Sequence, residues 1–281
     1  MNRATSVPRL ENDIAASMSS LGQQCDPKSA PNSAPDATDS EDPLLEDHTQ
    51  RILANAFLHA IYRDVYSRIL VEVPADRYPR TIEIGSGGGF LKEHAPHVTT
   101  SDCIAGPKID RVVDACNLQG AFEASSLDAI VGFNVFHHLP DAVGFLQGAQ
   151  AVLRSGGRVA LVEPWFTPVG QWFYRAIHHE PVLLDPNDWS IQGEGRLGGA
   201  NSRLPTSVFL DGTQRIAQVA PHLSVIKCLP FHKWLYLFSG GLRLNTRVPG
   251  SIAQALLRLD RATSALDGLF GIFGVIVVER N

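Results

Sequence analysis

Thr81-Ile82-Glu83-Ile84-Gly85-Ser86-Gly87-Gly88-Gly89 is the stretch that decides how this chain folds. A short run rich in β-branched residues ends in an acid, Glu83. One apolar residue follows, and then glycines at 85, 87, 88 and 89. Glycine tolerates positive φ and has no Cβ to hold a ligand away from the backbone. A buried strand, a Gly-rich turn and a helix start form the nucleotide-cradling unit of open α/β sheets. The dinucleotide fingerprint G-x-G-x-x-G would need its third glycine at position 90, which is Phe90. The spacing present is G-x-G-x-G, through Gly85, Gly87 and Gly89.

The order of residues downstream extends the pattern. Val98-Thr99-Thr100-Ser101-Asp102 reads as a second strand ending in an acid. In a doubly wound sheet that strand end lies beside the first turn, where a carboxylate can accept hydrogen bonds from both hydroxyls of a ribose. The other reading of Asp102 is a cap for the following turn. Ile109 to Val113 reads as a short third strand ending at Asp114-Ala115. Leu127-Asp128-Ala129-Ile130-Val131-Gly132-Phe133 reads as a buried central strand, closed by Asn134-Val135-Phe136-His137-His138-Leu139-Pro140-Asp141. Leu153 to Pro164 carries a helix end, a Gly156-Gly157 stop and a fifth strand ending at Glu163.

These features, in this order over about residues 80–165, resemble the class I, Rossmann-like S-adenosylmethionine-dependent methyltransferases, small-molecule type, with a type 11-like core. Glu83 with the G-x-G-x-G turn is similar to their motif I, and the Asn134–Asp141 segment to their motif IV. The resemblance implies a doubly wound, seven-stranded, mostly parallel α/β sheet with an antiparallel edge strand, its last two strands pairing at one edge. It implies S-adenosyl-L-methionine as cofactor, held by Glu83, Gly85, Ser86, Gly87, Gly89, Asp102, Asp114, Ala115 and Asn134. Within it, Asp114 followed by the small Ala115 meets the adenine amino group; a plain turn cap is the alternative.

Composition agrees. The chain has 281 residues, 44% of them hydrophobic, enough for one α/β domain with a sizeable core. Its net charge of −5 offers no basic face to a nucleic acid. The four cysteines, Cys25, Cys103, Cys116 and Cys228, form no C-x-x-C and suit a reducing, cytoplasmic setting. No signal peptide is expected, and no transmembrane segment. Leu269 to Val278 is the longest apolar run, about half of what a spanning helix needs, and reads as a buried strand.

Residues 1–45 are rich in Ser, Asn, Asp, Ala and Pro and are expected to be disordered; 46–281 form the methyltransferase domain. From Asp47 the pattern turns helical. Leu53, Phe57, Ile61, Val65 and Ile69 recur every four residues, with Arg51, Arg63, Asp64 and Arg68 on the other face. Further helices are expected near 88–95, 117–123, 140–154, 205–219 and 250–266. Insertions follow strands five and six. The first, 166–204, is aromatic and loop-rich and reads as a lid or wall over the acceptor site. The second, 231–249, either adds to the acceptor pocket or makes a homodimer contact.

Methyl transfer is an in-line displacement at a sulfonium carbon, so the protein must mainly position donor and acceptor. A hydroxyl acceptor is helped by a general base, and histidine suits neutral pH. The candidates are His138, with His137 beside it, and the His178-His179-Glu180 group; Glu163 is a further acceptor-side candidate. Adjacent residues do not readily share one tetrahedral site, so no metal site is expected. The acceptor is read as small, lipid-like or a glycan precursor. The alternatives are a nicotinamide-nucleotide enzyme, which Phe90 disfavours, and a catalytically silent cofactor-binding or interaction protein of the same fold.

Overall fold

The computed structural model describes residues 55–178, 180–192, 199–231 and 250–281. The expected N-terminal tail, His179 and nearly all of the second insertion (232–249) lie outside them.

Alternating strands and crossovers build one seven-stranded sheet. Its strands are β1 (Thr81–Glu83), β2 (Thr99–Asp102), β3 (Arg111–Val112), β4 (Leu127–Phe133), β5 (Leu153–Pro164), β6 (Leu223–Phe231) and β7 (Phe273–Arg280). The order across the sheet is β3-β2-β1-β4-β5-β7-β6. β1 pairs in parallel with β2 on one side and β4 on the other, so the order reverses between β1 and β4. Ligands of open α/β sheets bind outside the carboxyl ends of the strands at such a reversal. The fold class is the one expected. Its antiparallel strand, β7, lies one strand in from the edge, between β5 and β6. The apolar Leu269–Val278 run supplies most of it, and Phe273 to Val278 are buried.

The central strands are apolar on both faces because both faces are covered. On one face Ile82, Ile130, Val159, Leu161, Ile276 and Val278 pack under helix α2 (Ala142–Val152) and under Leu204, Val208, Phe209 and Ile216. On the other, Ala129, Val131, Ala160, Val162, Val275 and Val277 pack under helix α1 (Ala56–Glu72), with Phe173 and Tyr174 of helix α3 (Pro168–Ala176) beside it. The four-residue spacing of α1 puts Ile61, Val65 and Ile69 in that interface, all nearly fully buried. Each such side chain contributes about 1.5–3 kcal/mol. Asp64, read from the sequence as part of the outer face, is also buried. It accepts from Arg68 on its own helix (2.8 Å) and from Arg261 of the helix Gly250–Ala262 (2.6 Å). Helix α4 is Thr213–Val219, and α5 is Gly250–Ala262.

Several expected helices are shorter than the pattern implied. In place of a helix over 88–95 there is one 3₁₀ turn, Phe90–Glu93. Pro96 disfavours helical geometry at residue 95, and Gly89 lies just upstream, so too few residues remain for a stable helix. The turn still does a helix's packing: Phe90 and Leu91 are buried under α1. In place of a helix over 117–123 there is a kinked 3₁₀ segment, Ala115–Gly120, broken at Asn117. The 205–219 helix is interrupted by a π-turn, Ser207–Asp211, and resumes after Gly212. β5 begins at Leu153 rather than near 158. Gly156 (φ 72°) sits where the pairing with β4 shifts register. Among the described residues no helix is long and apolar enough to cross a membrane.

Asp128 at the start of β4 is nearly fully buried. It accepts from the Arg80 backbone N (2.8 Å), the Arg80 guanidinium (2.9 and 3.0 Å) and Arg154 Nε (2.5 Å). The Arg80 hydrogen bond, foremost, holds its carboxyl well below the ordinary carboxylate range, against the opposing pull of burial. A depressed folded-state value stabilises the fold above the unfolded value of about 3.9 and is lost as pH falls below it. Asp128→Asn should therefore cost about 1–3 kcal/mol at neutral pH, and the gap to the parent should narrow in acid. Denaturant melts at both pH values check this; a gap independent of pH would contradict it.

Candidate functional site

β1 ends at Glu83, and the next residues turn sharply back. Gly85, Gly87 and Gly89 all have positive φ (60°, 50° and 66°). At Gly85 the need for glycine is doubled, because an added Cβ would lie 2.4 Å from Val135 Cγ2. The Gly turn is thus pressed against the residues that leave β4. It is also stapled to the end of β2. The Ser86 N–H donates to the Ser101 carbonyl (2.9 Å), the Ser101 N–H to Ser86 Oγ (3.0 Å), and the Gly87 N–H to Asp102 Oδ2 (3.0 Å). The structure therefore brings Glu83, Gly85, Ser86, Gly87, Gly89 and Asp102 together.

Glu83 is 2% exposed, and its Oε2 has no hydrogen-bond partner. Burial pushes its carboxyl up to about 8 and the Asp102 charge adds to the rise; hydrogen bonds from Ser86 and Tyr66 only partly offset it. Tyr66 comes from α1, where the sequence marked it only as part of an apolar stripe. Asn134, leaving β4, adopts left-handed backbone geometry (φ 53°), and its Oδ1 is likewise buried without a partner. Asparagine is among the few non-glycine residues that take this conformation readily. Asp114 sits at the exposed end of β3 and caps the turn after it, accepting from the Cys116 N–H (2.8 Å); Ala115 is buried behind it.

On the far side of Val135 a second polar centre forms. Glu163, at the end of β5, is fully buried. One oxygen accepts from the Val135 and Phe136 N–H groups (2.9 and 2.8 Å), and the other lies 2.6 Å from His137 Nδ1. The Glu163 carboxylate is thus enclosed and committed to the β4 end. It orients that segment instead of facing an acceptor, as the sequence reading had it. His137 Nε2 lies 3.3 Å from Glu180 Oε2, and His138 Nε2 lies 3.9 Å from Glu180 Oε1. Burial alone would lower His137, but the hydrogen bond and charge of Glu163, then those of Glu180, outweigh it and hold the imidazole up to about 9. Burial would raise Glu180, but the His137 hydrogen bond and charge hold it well below the usual carboxylate range. His138 is lowered by burial and then by the His137 charge.

The first insertion closes this centre. Thr167 caps α3 by accepting from the Gly170 N–H (3.0 Å). Beyond α3 the chain returns so that the Gly199 carbonyl meets His138 Nδ1 (2.8 Å) and the Asn201 N–H donates to the His137 carbonyl (2.9 Å). His178 packs against Phe173 and Tyr174, and its Nδ1 is 3.8 Å from Glu180 Oε2. The grouping is therefore His137, His138, His178, Glu163 and Glu180. Sequence reasoning had paired Glu180 only with its own neighbours, because nothing local links residue 180 to residue 137.

Residues 82–161 match the family model of a methyltransferase domain. No curated protein matches the sequence. Solved structures similar to this chain include a geranyl diphosphate C-methyltransferase from Streptomyces coelicolor A3(2). It is 14% identical, with 88% of this chain and 90% of that one covered and a TM-score of 0.46. An S-adenosylmethionine-dependent methyltransferase from Archaeoglobus fulgidus is 14% identical, with 78% and 94% covered and a TM-score of 0.46. A putative one from Listeria monocytogenes is 11% identical, with 78% and 99% covered and a TM-score of 0.45. With the motif order, the sheet order and the family match in agreement, residues 82–161 form the core of a class I S-adenosylmethionine-dependent methyltransferase domain, with S-adenosylmethionine as its cofactor.

Proposed function

We propose that the protein transfers the methyl group of S-adenosylmethionine to a small, lipid-like or glycan-precursor acceptor. The observation that carries the reading is the Gly85–Gly89 turn at the sheet reversal, stapled to Asp102 and flanked by two buried polar atoms without partners, Glu83 Oε2 and Asn134 Oδ1. Buried polar atoms are costly unless hydrogen-bonded, so a ligand that supplies donors to both is favoured there. The α-ammonium of the methionine moiety is such a donor for Glu83. The backbone of Gly85, Ser86, Gly87 and Gly89 takes the methionine part, Asp102 the ribose hydroxyls, Asp114 and Ala115 the adenine, and Asn134 the side facing the methyl group.

In the reaction the acceptor lone pair forms the new bond to the methyl carbon. The carbon–sulfur bond breaks with its electrons left on sulfur, and the acceptor's proton passes to a base on the acceptor side or to water. The acceptor side is the centre around His137, His138, His178 and Glu180, reached from the Gly turn through Val135. The chain's acidic balance and the aromatic first insertion support a small or lipid-like acceptor.

Calorimetric titration should show S-adenosylmethionine and S-adenosylhomocysteine binding; no binding by either at millimolar ligand would sink the proposal. Asp102→Ala should weaken binding by about 1–3 kcal/mol, and unchanged affinity in a folded variant would remove Asp102 from the site.

Glu83 adds a pH test. In the ligand-free protein its raised value keeps it mostly protonated at neutral pH. An ammonium docked on it favours the carboxylate, so binding should release a proton and tighten as pH rises. Titrations between about pH 6 and 7.5, below the about 7.7–8.0 of a free α-amino group, should show heats that depend on the buffer's ionisation enthalpy. Glu83→Gln should abolish that dependence; its persistence would assign the proton elsewhere. With methyl-labelled cofactor and a cell extract, label should appear in the small-molecule or lipid fraction. Label confined to protein or nucleic acid would overturn the acceptor class.

A further inference from the structure

Beside the Gly turn, His137 Nε2 and His138 Nε2 converge on the Glu180 carboxylate, which also accepts from Ser202 Oγ (3.2 Å). The Glu163 carboxylate can only accept, so the His137 Nδ1 it contacts at 2.6 Å carries the hydrogen. The Gly199 carbonyl can only accept, so His138 Nδ1, 2.8 Å away, carries the hydrogen as well. With Nδ1 so committed, Nε2 is the ring atom each imidazole can offer to a metal ion, which at His137 displaces the Nε2 proton. Both Nε2 atoms converge on the Glu180 carboxylate, at 3.3 and 3.9 Å, and the three groups offer ligand atoms that all lie within 4.8 Å of one another. A proton on His137 Nε2 satisfies one of these contacts. It leaves His138 Nε2 beyond hydrogen-bonding distance of the carboxylate.

A single cation at the centre satisfies all three. We propose that His137 Nε2, His138 Nε2 and the Glu180 carboxylate form a binding site for a divalent transition-metal ion of the zinc type. Two imidazoles and one carboxylate make a known three-ligand set that leaves a position open. Nitrogen donors favour zinc, cobalt or iron over magnesium, which takes oxygen ligands. The surroundings are those of a metal-binding histidine. Glu163 is a buried carboxylate on the distal nitrogen of His137, and the Gly199 carbonyl plays the same part for His138. Bonds of about 2.0–2.1 Å in a tetrahedral site put ligand atoms roughly 3.3 Å apart. The His137–Glu180 pair already has that spacing, and Glu180, on the loop after α3 and held at Oε2 by Ser202 Oγ (3.2 Å), is the ligand that must shift to close the remainder to His138. The sequence expectation of no metal site rested on the adjacency of His178, His179 and Glu180. His137 and His138 are adjacent too, but the 3₁₀ turn Phe136–His138 brings their rings to 4.1 Å between centroids, and the returning insertion supplies Glu180 from a separate element.

The link to catalysis rests on the proposed function: an ion with an open position on the acceptor side would lower the pKa of a bound acceptor hydroxyl or hold an anionic oxygen. Metal binding itself is tested without any methyl transfer. The purified full-length chain, stripped with chelator, is titrated with zinc chloride, and its metal content is measured after gel filtration. It should retain one equivalent. Cobalt chloride should give visible ligand-field absorption that zinc removes, and magnesium chloride should not compete. His138→Ala and Glu180→Gln should weaken zinc binding by at least tenfold, and Glu163→Gln by about 10–100-fold through loss of His137 orientation. Failure of the parent to bind zinc or cobalt, or equal binding by parent and Glu180→Gln, would overturn the site. S-adenosylhomocysteine titrated into the same parent sample keeps the two readings apart. Cofactor binding without metal binding defeats this inference alone, and metal binding without cofactor binding defeats the proposed function alone.

Discussion

The fully buried carboxylate of Glu163 is the constraint on which the site depends. A charge with no exposure is tolerable only when its lone pairs are met by donors. Here the donors are the Val135 and Phe136 N–H groups and the His137 ring, all just past the end of β4. Meeting them forces the chain to turn immediately after Phe133, with Asn134 in left-handed geometry and a 3₁₀ turn at Phe136–His138. That turn sets Val135 against Gly85 and points His137 at Glu180. One desolvated acid therefore shapes both the wall of the Gly turn and the polar centre beyond it.

The Gly turn was legible because it is written in backbone requirements. Positive φ at Gly85, Gly87 and Gly89 and a strand that must end at Glu83 leave a local trace in the sequence. Asp102 was legible because parallel strand order puts the end of β2 beside the end of β1. Lengths were not. Pro96 and Gly89 bracket too few residues for the helix that the general pattern of the fold suggests, and the crossover contracts to one 3₁₀ turn that still buries Phe90 and Leu91. The polar centre was illegible for a different reason. His137, Glu163 and Glu180 come from three separate elements, and only the closed sheet and the returning insertion bring them together. Tyr66 was hidden the same way: an amphipathic stripe shows which face of α1 is buried but not which buried acid it meets.

The two halves differ in how their polar groups are satisfied. Around Glu163 nearly every lone pair has a donor, which is the signature of a structural anchor. Around the Gly turn, Glu83 Oε2 and Asn134 Oδ1 are buried without partners. Such atoms mark where a protein has left room for hydrogen bonds from something else, and both flank the turn that bare backbone was selected to form. The cofactor of the domain, with its ammonium, ribose and adenine, carries donors and acceptors suited to these positions.

A crystal structure with S-adenosylhomocysteine tests this account most directly. The account predicts the ligand along the Gly85–Gly89 turn, with its amino group on Glu83, its ribose hydroxyls on Asp102 and its sulfur directed to the Asn134 side, toward His137 and His138. A ligand bound away from the Gly turn, or one whose sulfur faces away from the end of β4, would contradict it.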